Sequence, residues 1–575
     1  MLTLDTPDGF DEAMSQLLRE WNAPGFGVSV VVDGVPVLAK GYGYRDWENR
    51  LPFDSQTLFP IASNTKLFVA IAAGLLVEEG KLTYDGPLRE MVPTLQLYDD
   101  ALTNSVTLRD LLAHRTGITR HDMMTSNAKI SLKEIFDRLR FMKPAAGLRE
   151  RFIYNNVMYF AVGHIIELLS GQTWTDFVRE RILVPAGMHD TSFRLADLLD
   201  RDNLAKPFTA RSDTQQMRKL GWELRDDPPR PSGGMVSTLD DMARWVAVLM
   251  NGGKAGDAQV VPSSVLRETM APAIPLPNDM AEAHDWWESL NGTYGLGRHT
   301  NVYRGHLLAW HGGGIRAYHS LVSLMPRERI GASVFVIGDH CGSLRDVISF
   351  QIYERLLGMD LTPWSQRIRD LVSAGRKAMS TASKSRNVDK VENTQPSHAL
   401  EDYTGRYAHP AYGTFTVTTG AEGLRLQFRD DDLRLTHYHY DRFDTRSTDE
   451  ETGSRWRINF LSNHEGDIDR FVTKVVENEV VFLRQPDVLN ASEMSRLVGT
   501  YEGLTGFRVE IVQRAGGTVW LQAPGQPDAQ LMPGRKRTYR VGDTPGATFE
   551  FVENDGIVVS LDQMTATGRF VNRKL

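Results

Sequence analysis

The stretch FPIASNTKLFVA, Phe59 to Ala70, decides how the first half of the chain is read. Ser63 and Lys66 stand three residues apart, and the run LFVAIAAGLLV follows without a polar residue. Such a run is apolar on every helical face and predicts a helix buried in a domain centre. Ser63 then stands at the helix N-terminus, where unpaired N–H groups and the dipole favour developing negative charge. Lys66 falls on the same face, one turn on. The spacing alone means little, because SNAK (Ser126 to Lys129) has it too, ahead of the amphipathic ISLKEIFDRL, and reads as a loop. A helix cap would account for Ser63. It would not account for Lys66, whose charged form is costly in a buried helix.

A serine hydroxyl attacks only when something takes its proton. A lysine of ordinary pKa, about 10.4, cannot do so at neutral pH unless burial or a neighbouring cation lowers that value. A second group is therefore expected. YNN, Tyr154 to Asn156, offers a phenol two residues before a carboxamide, so that both can reach one cleft; a turn with a packed tyrosine would read the same way. WHGGGIRAYHS offers three glycines after His311, which permit close backbone approach and leave N–H groups open, as an oxyanion hole requires. A rival His-x-Gly at His464 lies among β-type sequence without such surroundings.

In this order, the three elements resemble the serine β-lactamase and penicillin-binding protein superfamily, in the branch of class C β-lactamases, D-aminopeptidases, DD-peptidases and related esterases. The likeness spans about residues 10 to 360 and extends to LVEEGKLTYDGPLREMVP, VTLRDLLAHRTGI, IYNNVMYFAVGHIIELLSG and SGGMVSTLDDMARW. It implies Ser63 as the acylated nucleophile, with Lys66 and Tyr154 sharing the proton work and Asn156 holding Lys66 and the substrate. His311 stands where many relatives have lysine. Gly313 and Gly314 belong to the substrate-binding strand, and the N–H of Gly314 forms the oxyanion hole with that of Ser63. Trp310 and Ala317 replace glycines of many relatives and are expected to narrow the strand edge. Histidine instead of lysine removes a fixed charge, so strong carboxylate recognition is not expected.

The chain has 575 residues, too many for one core, with a net charge of −8 and a single cysteine, Cys341. No basic stripe suits nucleic acid, no cysteine framework suits disulfides or zinc, and no cofactor or metal is expected. An acid-bearing N-terminus and the absence of a run of about 18 apolar residues point to a cytoplasmic protein with no membrane partner.

The fold class expected is α/β, β-lactamase/transpeptidase-like: an antiparallel sheet with a long helical insert, followed by two small all-β barrels. GFGVSVVVDGVPVLAKGYGYRD reads as a hairpin turning at Asp33-Gly34, and YHSLVSLM and IGASVFVI as strands around PRER. The catalytic domain is placed at 1–360, a linker at 361–398, and barrels at 399–486 and 487–575. The barrels rest on short alternating strands and on a weak repeat, LEDYTGRY against MSRLVGTY, each unit closing on an aromatic-basic strand, VVFLRQ or GRFVNR. D-aminopeptidases of the superfamily carry two lipocalin-like barrels, one loop of which can narrow the cleft; Ala523 to Arg537 is the loop-like stretch here.

The activity implied is a serine hydrolase working through an acyl-enzyme on a small amide, peptide or ester. An acyltransferase of the same fold, passing the acyl group to an alcohol or amine, is the nearest alternative, and a non-catalytic binding protein the more distant one. A homo-oligomer is left open. Segments Arg201 to Pro231 and Ala271 to Thr293 are expected as cleft walls. Within the second, Trp286 and Trp287 either line a substrate pocket or pack onto the domain.

Overall fold

A computed structural model describes residues 9–575 apart from 126–128, 212–213, 223–227, 278–282, 386–389, 430, 447–455, 465, 476, 487–488, 515–516, 534–537, 542–546 and 566. Two compact units divide the chain near residues 388 and 389.

The first unit is built on one antiparallel sheet. Its strands are β1 (Gly25–Val32), β2 (Val35–Asp46), β3 (Leu51–Pro52), β4 (Ile274–Pro275), β5 (Ser289–Tyr294), β6 (His299–Tyr303), β7 (His306–Ile315), β8 (Tyr318–Met325) and β9 (Ile330–Ile337). They lie in the order β4-β5-β6-β7-β8-β9-β1-β2-β3, so both ends of the unit meet where β9 pairs with β1. The hairpin β1–β2 turns at Asp33 and Gly34, both with positive φ, the backbone a tight two-residue turn needs. As the sequence suggests, the helical insert separates the halves of this sheet.

Every residue of β1 is buried, because both faces of the sheet are covered. Phe26, Val28, Val30 and Val32 join a core with helices α1 (Phe10–Glu20) and α5 (Leu344–Leu356). On the other face the insert supplies α2 (Thr65–Glu78), α3 (Val157–Ser170) and α4 (Leu239–Met250). Helix α4 comes so close that a Cβ at Gly27 would lie 2.6 Å from Leu239 Cδ1. Helix α2 is buried from Thr65 to Leu76, as its uniformly apolar sequence requires. Helix α6 (Trp364–Ser385) opens the stretch read as a linker.

The second unit holds two closed eight-stranded barrels, running from Gly405–His409 to Asn478–Arg484 and from Gly499–Glu502 to Gly568–Lys574. The weak repeat has a physical basis. Tyr407 and Tyr501 are fully buried, and each hydroxyl donates to the carbonyl four residues back, Tyr403 at 2.9 Å and Leu497 at 2.6 Å. Opposite them stand Arg484 and Lys574 on the closing strands. Each cation donates to the carbonyl five residues before its tyrosine, Asp402 or Arg496. Gly405 and Gly499 adopt positive φ, and a Cβ there would meet the same Arg484 and Lys574 side chains at 2.9 and 2.7 Å. Glycine, tyrosine and a closing cation thus form one device used twice.

One expectation for this unit needs correction. The stretch from Ala523 is not all loop: Ala529–Pro533 is a strand, with Leu531 buried between Val519 and Val541. Residues 534–537 lie outside the described part. Among the described residues no helix is long and apolar enough to cross a membrane.

Glu354 of α5 is fully buried and fastens the sheet to the start of α6. It accepts from Tyr303 (2.7 Å), Arg304 (3.1 Å), Thr362 N (2.9 Å) and Thr362 Oγ1 (2.6 Å). Glu354→Ala strands these donors and should destabilise the catalytic unit by about 3 kcal/mol or more, read as a lowered denaturant midpoint; an unchanged midpoint would contradict the role assigned to Glu354.

Candidate active site

The turn before α2 presents Ser63 under constraint. Ala62 has a φ of +48°, a left-handed conformation that a residue with a side chain rarely holds without support. The support is a set of short hydrogen bonds. Ser320 Oγ donates to Ile61 O at 2.6 Å and accepts from Asn64 Nδ2 at 2.8 Å. Thr65 Oγ1 donates to Ala62 O at 2.8 Å and accepts from Met235 N at 3.2 Å. Strand β7 lies so close to this turn that a Cβ at Gly313 would sit 2.2 Å from Ile61 O. Only glycine fits there.

Lys66 is wholly buried. Its Nζ donates to Asn156 Oδ1 and to Ser232 O, each at 2.7 Å, and lies 3.3 Å from Ser63 Oγ. Burial holds its pKa well below the ordinary lysine range; Asp122 pulls it back up in part, and Arg120 depresses it further. The amide of Asn156 is oriented by a neighbour, since its Nδ2 donates to Asp122 Oδ1 at 2.9 Å and its Oδ1 is therefore turned to Lys66. Asp122 in turn pairs with Arg120 at 2.8 Å.

Tyr154 faces the same point. Its ring centroid is 4.8 Å from Lys66 Nζ. Burial pushes its pKa up, so the phenol keeps its proton, and the neighbouring Ser63 offsets this only in part. Between Tyr154 and Asn156, Asn155 is the anchor. Its side chain donates to Ile118 O and Thr119 O at 3.0 and 2.7 Å, and its backbone N–H donates to His114 Nδ1 at 3.0 Å. The His114 ring packs 4.4 Å from that of Tyr154.

His311 is buried beside this group, 6.2 Å from the Tyr154 ring. Its Nδ1 is 2.7 Å from Gly312 O, a group that can only accept, so the proton is on Nδ1. Nε2 then accepts from the Tyr294 hydroxyl at 3.1 Å. Burial, helped by His299 and Lys66, holds the imidazole well below its ordinary pKa. It is neutral and fully hydrogen-bonded within the protein.

A cleft of about 160 Å³ opens onto these groups, lined by Ser63, Asn156, Arg120, Asp122, Arg230 and Gly314 among others. Strand β6 pairs with β7 only as far as Trp310, so among the described residues no strand pairs with the segment from His311 to Ile315 on that side. Gly314 and Ser63 both line the cleft next to this open edge.

The structure thus brings together Ser63, Lys66, Tyr154 and Asn156, with Gly314 beside them and His311 and Gly313 behind. It does not bring Trp286 and Trp287 there. Trp286 packs against the core and stands edge-on to Trp364 at 5.4 Å, while Trp287 is 58 % exposed. Trp310 does not narrow the strand edge either, because it lines a different cavity, with Trp286 and Trp364. Ala317 sits in the β7–β8 turn at a φ of +66°, a conformation that glycine adopts more readily. Of the rivals, Ser126 lies outside the described residues, Lys129 is exposed, and His464 is exposed in a barrel turn. Arg230 comes from the first expected wall segment. Sequence reading missed Asp122, Arg120 and the Ser232 carbonyl; the only mark of the first two is an Arg-His-Asp triplet after HRTGI.

Comparison with known proteins identifies the family. The family model described as Beta-lactamase matches residues 10–349, and the chain belongs to that family. A second model, a domain of unknown function (DUF3471), matches residues 389–486, the region of the first barrel. The unguisins hydrolase ungD' of Aspergillus campestris (strain IBT 28561) is 29% identical over 427 residues, 71% of this chain and 77% of the relative. Protein flp of Staphylococcus aureus (strain COL) is 26% identical over 340 residues, 58% of this chain and 63% of the relative. Among solved structures, the octameric penicillin-binding protein homologue from Pyrococcus abyssi shares the fold, with a TM-score of 0.52, 21% identity, and coverage of 82% of this chain and 98% of that one.

The electrostatics around Lys66 can be tested directly. Asp122→Asn removes the attraction that favours the ammonium form and should lower the Lys66 pKa further, whereas Arg120→Gln should raise it. NMR titration of lysine-labelled protein reads both, and shifts of the same sign in the two variants would contradict the arrangement.

Proposed function

We propose that the protein is a serine hydrolase that works through an acyl-enzyme on a small amide, peptide or ester. The observation that carries this reading is the hydrogen-bond count at Lys66. A neutral amine has two N–H groups and one lone pair. Asn156 Oδ1 and Ser232 O, both acceptors here, occupy the two N–H groups, which leaves the lone pair for the third neighbour, Ser63 Oγ. Burial favours this neutral form. Lys66 is then a base already aimed at the nucleophile's proton.

The steps follow from the same contacts. Ser63 Oγ attacks the substrate carbonyl carbon while its proton passes to Lys66 Nζ. The carbonyl oxygen takes up negative charge, which the N–H groups of Ser63 and Gly314 stabilise. Tyr154, a phenol that burial keeps protonated, gives its proton to the leaving amine or alcohol and recovers one from the Lys66 ammonium. Water then attacks the acyl carbon by the reverse sequence, freeing the acid and restoring Ser63. Asn156 keeps Lys66 in place. His311, neutral and internally bonded, positions Tyr294 and the Gly312 backbone and presents no charge to substrate. That argues against tight recognition of a substrate carboxylate at this point.

The hydrolase named among the relatives supports the reaction class, and the family supports acyl-enzyme chemistry. The polar cleft of about 160 Å³ suits a small acyl group better than an extended apolar one.

Ser63→Ala should abolish turnover of p-nitrophenyl esters and aminoacyl anilides, together with covalent labelling by a fluorophosphonate or penicillin-type probe. Labelling that survives in this variant would remove Ser63 from its role. Tyr154→Phe should slow acylation roughly 10²- to 10⁴-fold, and a loss below tenfold would rule out proton transfer by Tyr154. The labelling rate should fall as pH drops through the lowered Lys66 pKa, because the ammonium has no lone pair to offer. In Asp122→Asn this fall should move to lower pH. Product partitioning with added alcohol or amine separates hydrolysis from acyl transfer.

A further inference from the structure

A second cavity, larger than the Ser63 cleft, lies on the opposite face of the sheet, and no step of the proposed reaction uses it. Its volume is about 320 Å³, roughly twice the ~150 Å³ that accommodates a benzene ring. Strand β7 separates it from the cleft by simple alternation. His311 and Gly313 face the nucleophile turn, whereas Trp310 and Gly312 face the cavity and α5.

Its walls are aromatic. Trp286, Trp310, Trp364 and Phe350 line it. Two of the indole N–H groups are already used, Trp310 on Asn301 Oδ1 at 2.9 Å and Trp364 on the Tyr303 hydroxyl at 2.8 Å. What these two residues offer a ligand is ring surface.

The cavity has one carboxylate, Asp346, in the first turn of α5. About 30% of its side-chain surface is open, although burial pushes its pKa above the ordinary aspartate range. Arg345 is the adjacent cation, but its Nη1 is committed to Gly313 O at 2.6 Å and Ser320 O at 3.2 Å. Its Nε forms an ion pair with Asp346 at 3.6 Å, longer than a hydrogen bond, and Arg345 and His319 together offset the effect of burial only in part. The carboxylate keeps open surface and stands among faces rich in π-electron density. Negative ring faces and a carboxylate both attract a cation whose body is apolar. Anions are repelled by both.

We propose that this cavity is a second small-molecule site, one that takes an organic ammonium ion with its apolar body among Trp286, Trp310 and Trp364 and its charge against Asp346. The site is separate from Ser63 and does not depend on the reaction assigned there.

The test is a titration of the full-length protein with benzyltrimethylammonium, followed by tryptophan fluorescence and calorimetry, alongside benzyl alcohol and benzoate. Saturable one-to-one binding of the ammonium is expected, with the alcohol at least tenfold weaker and no binding of benzoate. Asp346→Asn should weaken the ammonium at least tenfold. Leu371→Trp, which fills the cavity from α6, should do the same without touching a charge, and so serves if the first variant does not fold. Asp122→Asn, which alters the only carboxylate named at the Ser63 cleft, should leave binding unchanged. Absence of saturable binding, equal binding of the alcohol, or loss in Asp122→Asn with retention in Asp346→Asn would each overturn the proposal.

Discussion

The nitrogen of Lys66 is carried into an apolar layer between helices, and the rest of the site depends on how that nitrogen is accommodated. Burying an ammonium ion without a matched anion costs several kcal/mol. The nearest carboxylate, Asp122, does not touch it; Asn156 stands between them and passes on only part of the attraction. Asp122 therefore tunes the lysine without neutralising it. A direct ion pair would hold the proton on Nζ and leave Ser63 without a base. The carboxamide relay keeps the lysine in place and leaves its proton affinity low.

The second constraint is rigidity. A lone pair aimed at Ser63 is useful only if Oγ stays where it is, and the left-handed Ala62 would relax if it were free to do so. Ser320, Thr65 and the close approach of Gly313 prevent this. The strand that supplies the Gly314 N–H also clamps the turn that presents the nucleophile. Ser63 and Gly314 are thereby fixed relative to each other by the same few contacts, which in the proposed reaction would preorganise the stabilisation of a developing oxyanion.

How far the sequence could be read follows from where each contact comes from. Ser63 with Lys66, and Tyr154 with Asn156, are local pairs whose spacing already places them on one face or one loop. The hairpins β1–β2 and β8–β9 were legible from their turns, Asp33-Gly34 and PRER, and the two barrels from a repeat whose glycine and tyrosine prove to be mechanical parts. Asp122 and Arg120 were not legible, because their importance depends on a fold that brings their loop against Asn156. Trp286 and Trp287 lie in a segment expected as a cleft wall, and were read either as pocket residues or as packed onto the domain. Nothing local states which face of a sheet a connecting segment will cover. Trp310 was misjudged for a related reason: one residue along a strand reverses the side on which a side chain emerges.

That reversal shapes the catalytic unit as a whole. Along β7, successive residues serve two different compartments, His311 and Gly313 the nucleophile turn, Trp310 and Gly312 the aromatic cavity. Arg345 reaches from the cavity side to the carbonyls of Gly313 and Ser320, and Ser320 also holds Ile61 and Asn64 on the nucleophile side. The two faces therefore share their supporting contacts although they share no lining side chain. Close packing on both sides leaves the strand little room to move without disturbing one or the other. Glycine is required at 313, where a methyl group would strike the Ile61 carbonyl of the turn that presents Ser63, while at 312 a methyl group would press on the Arg345 guanidinium.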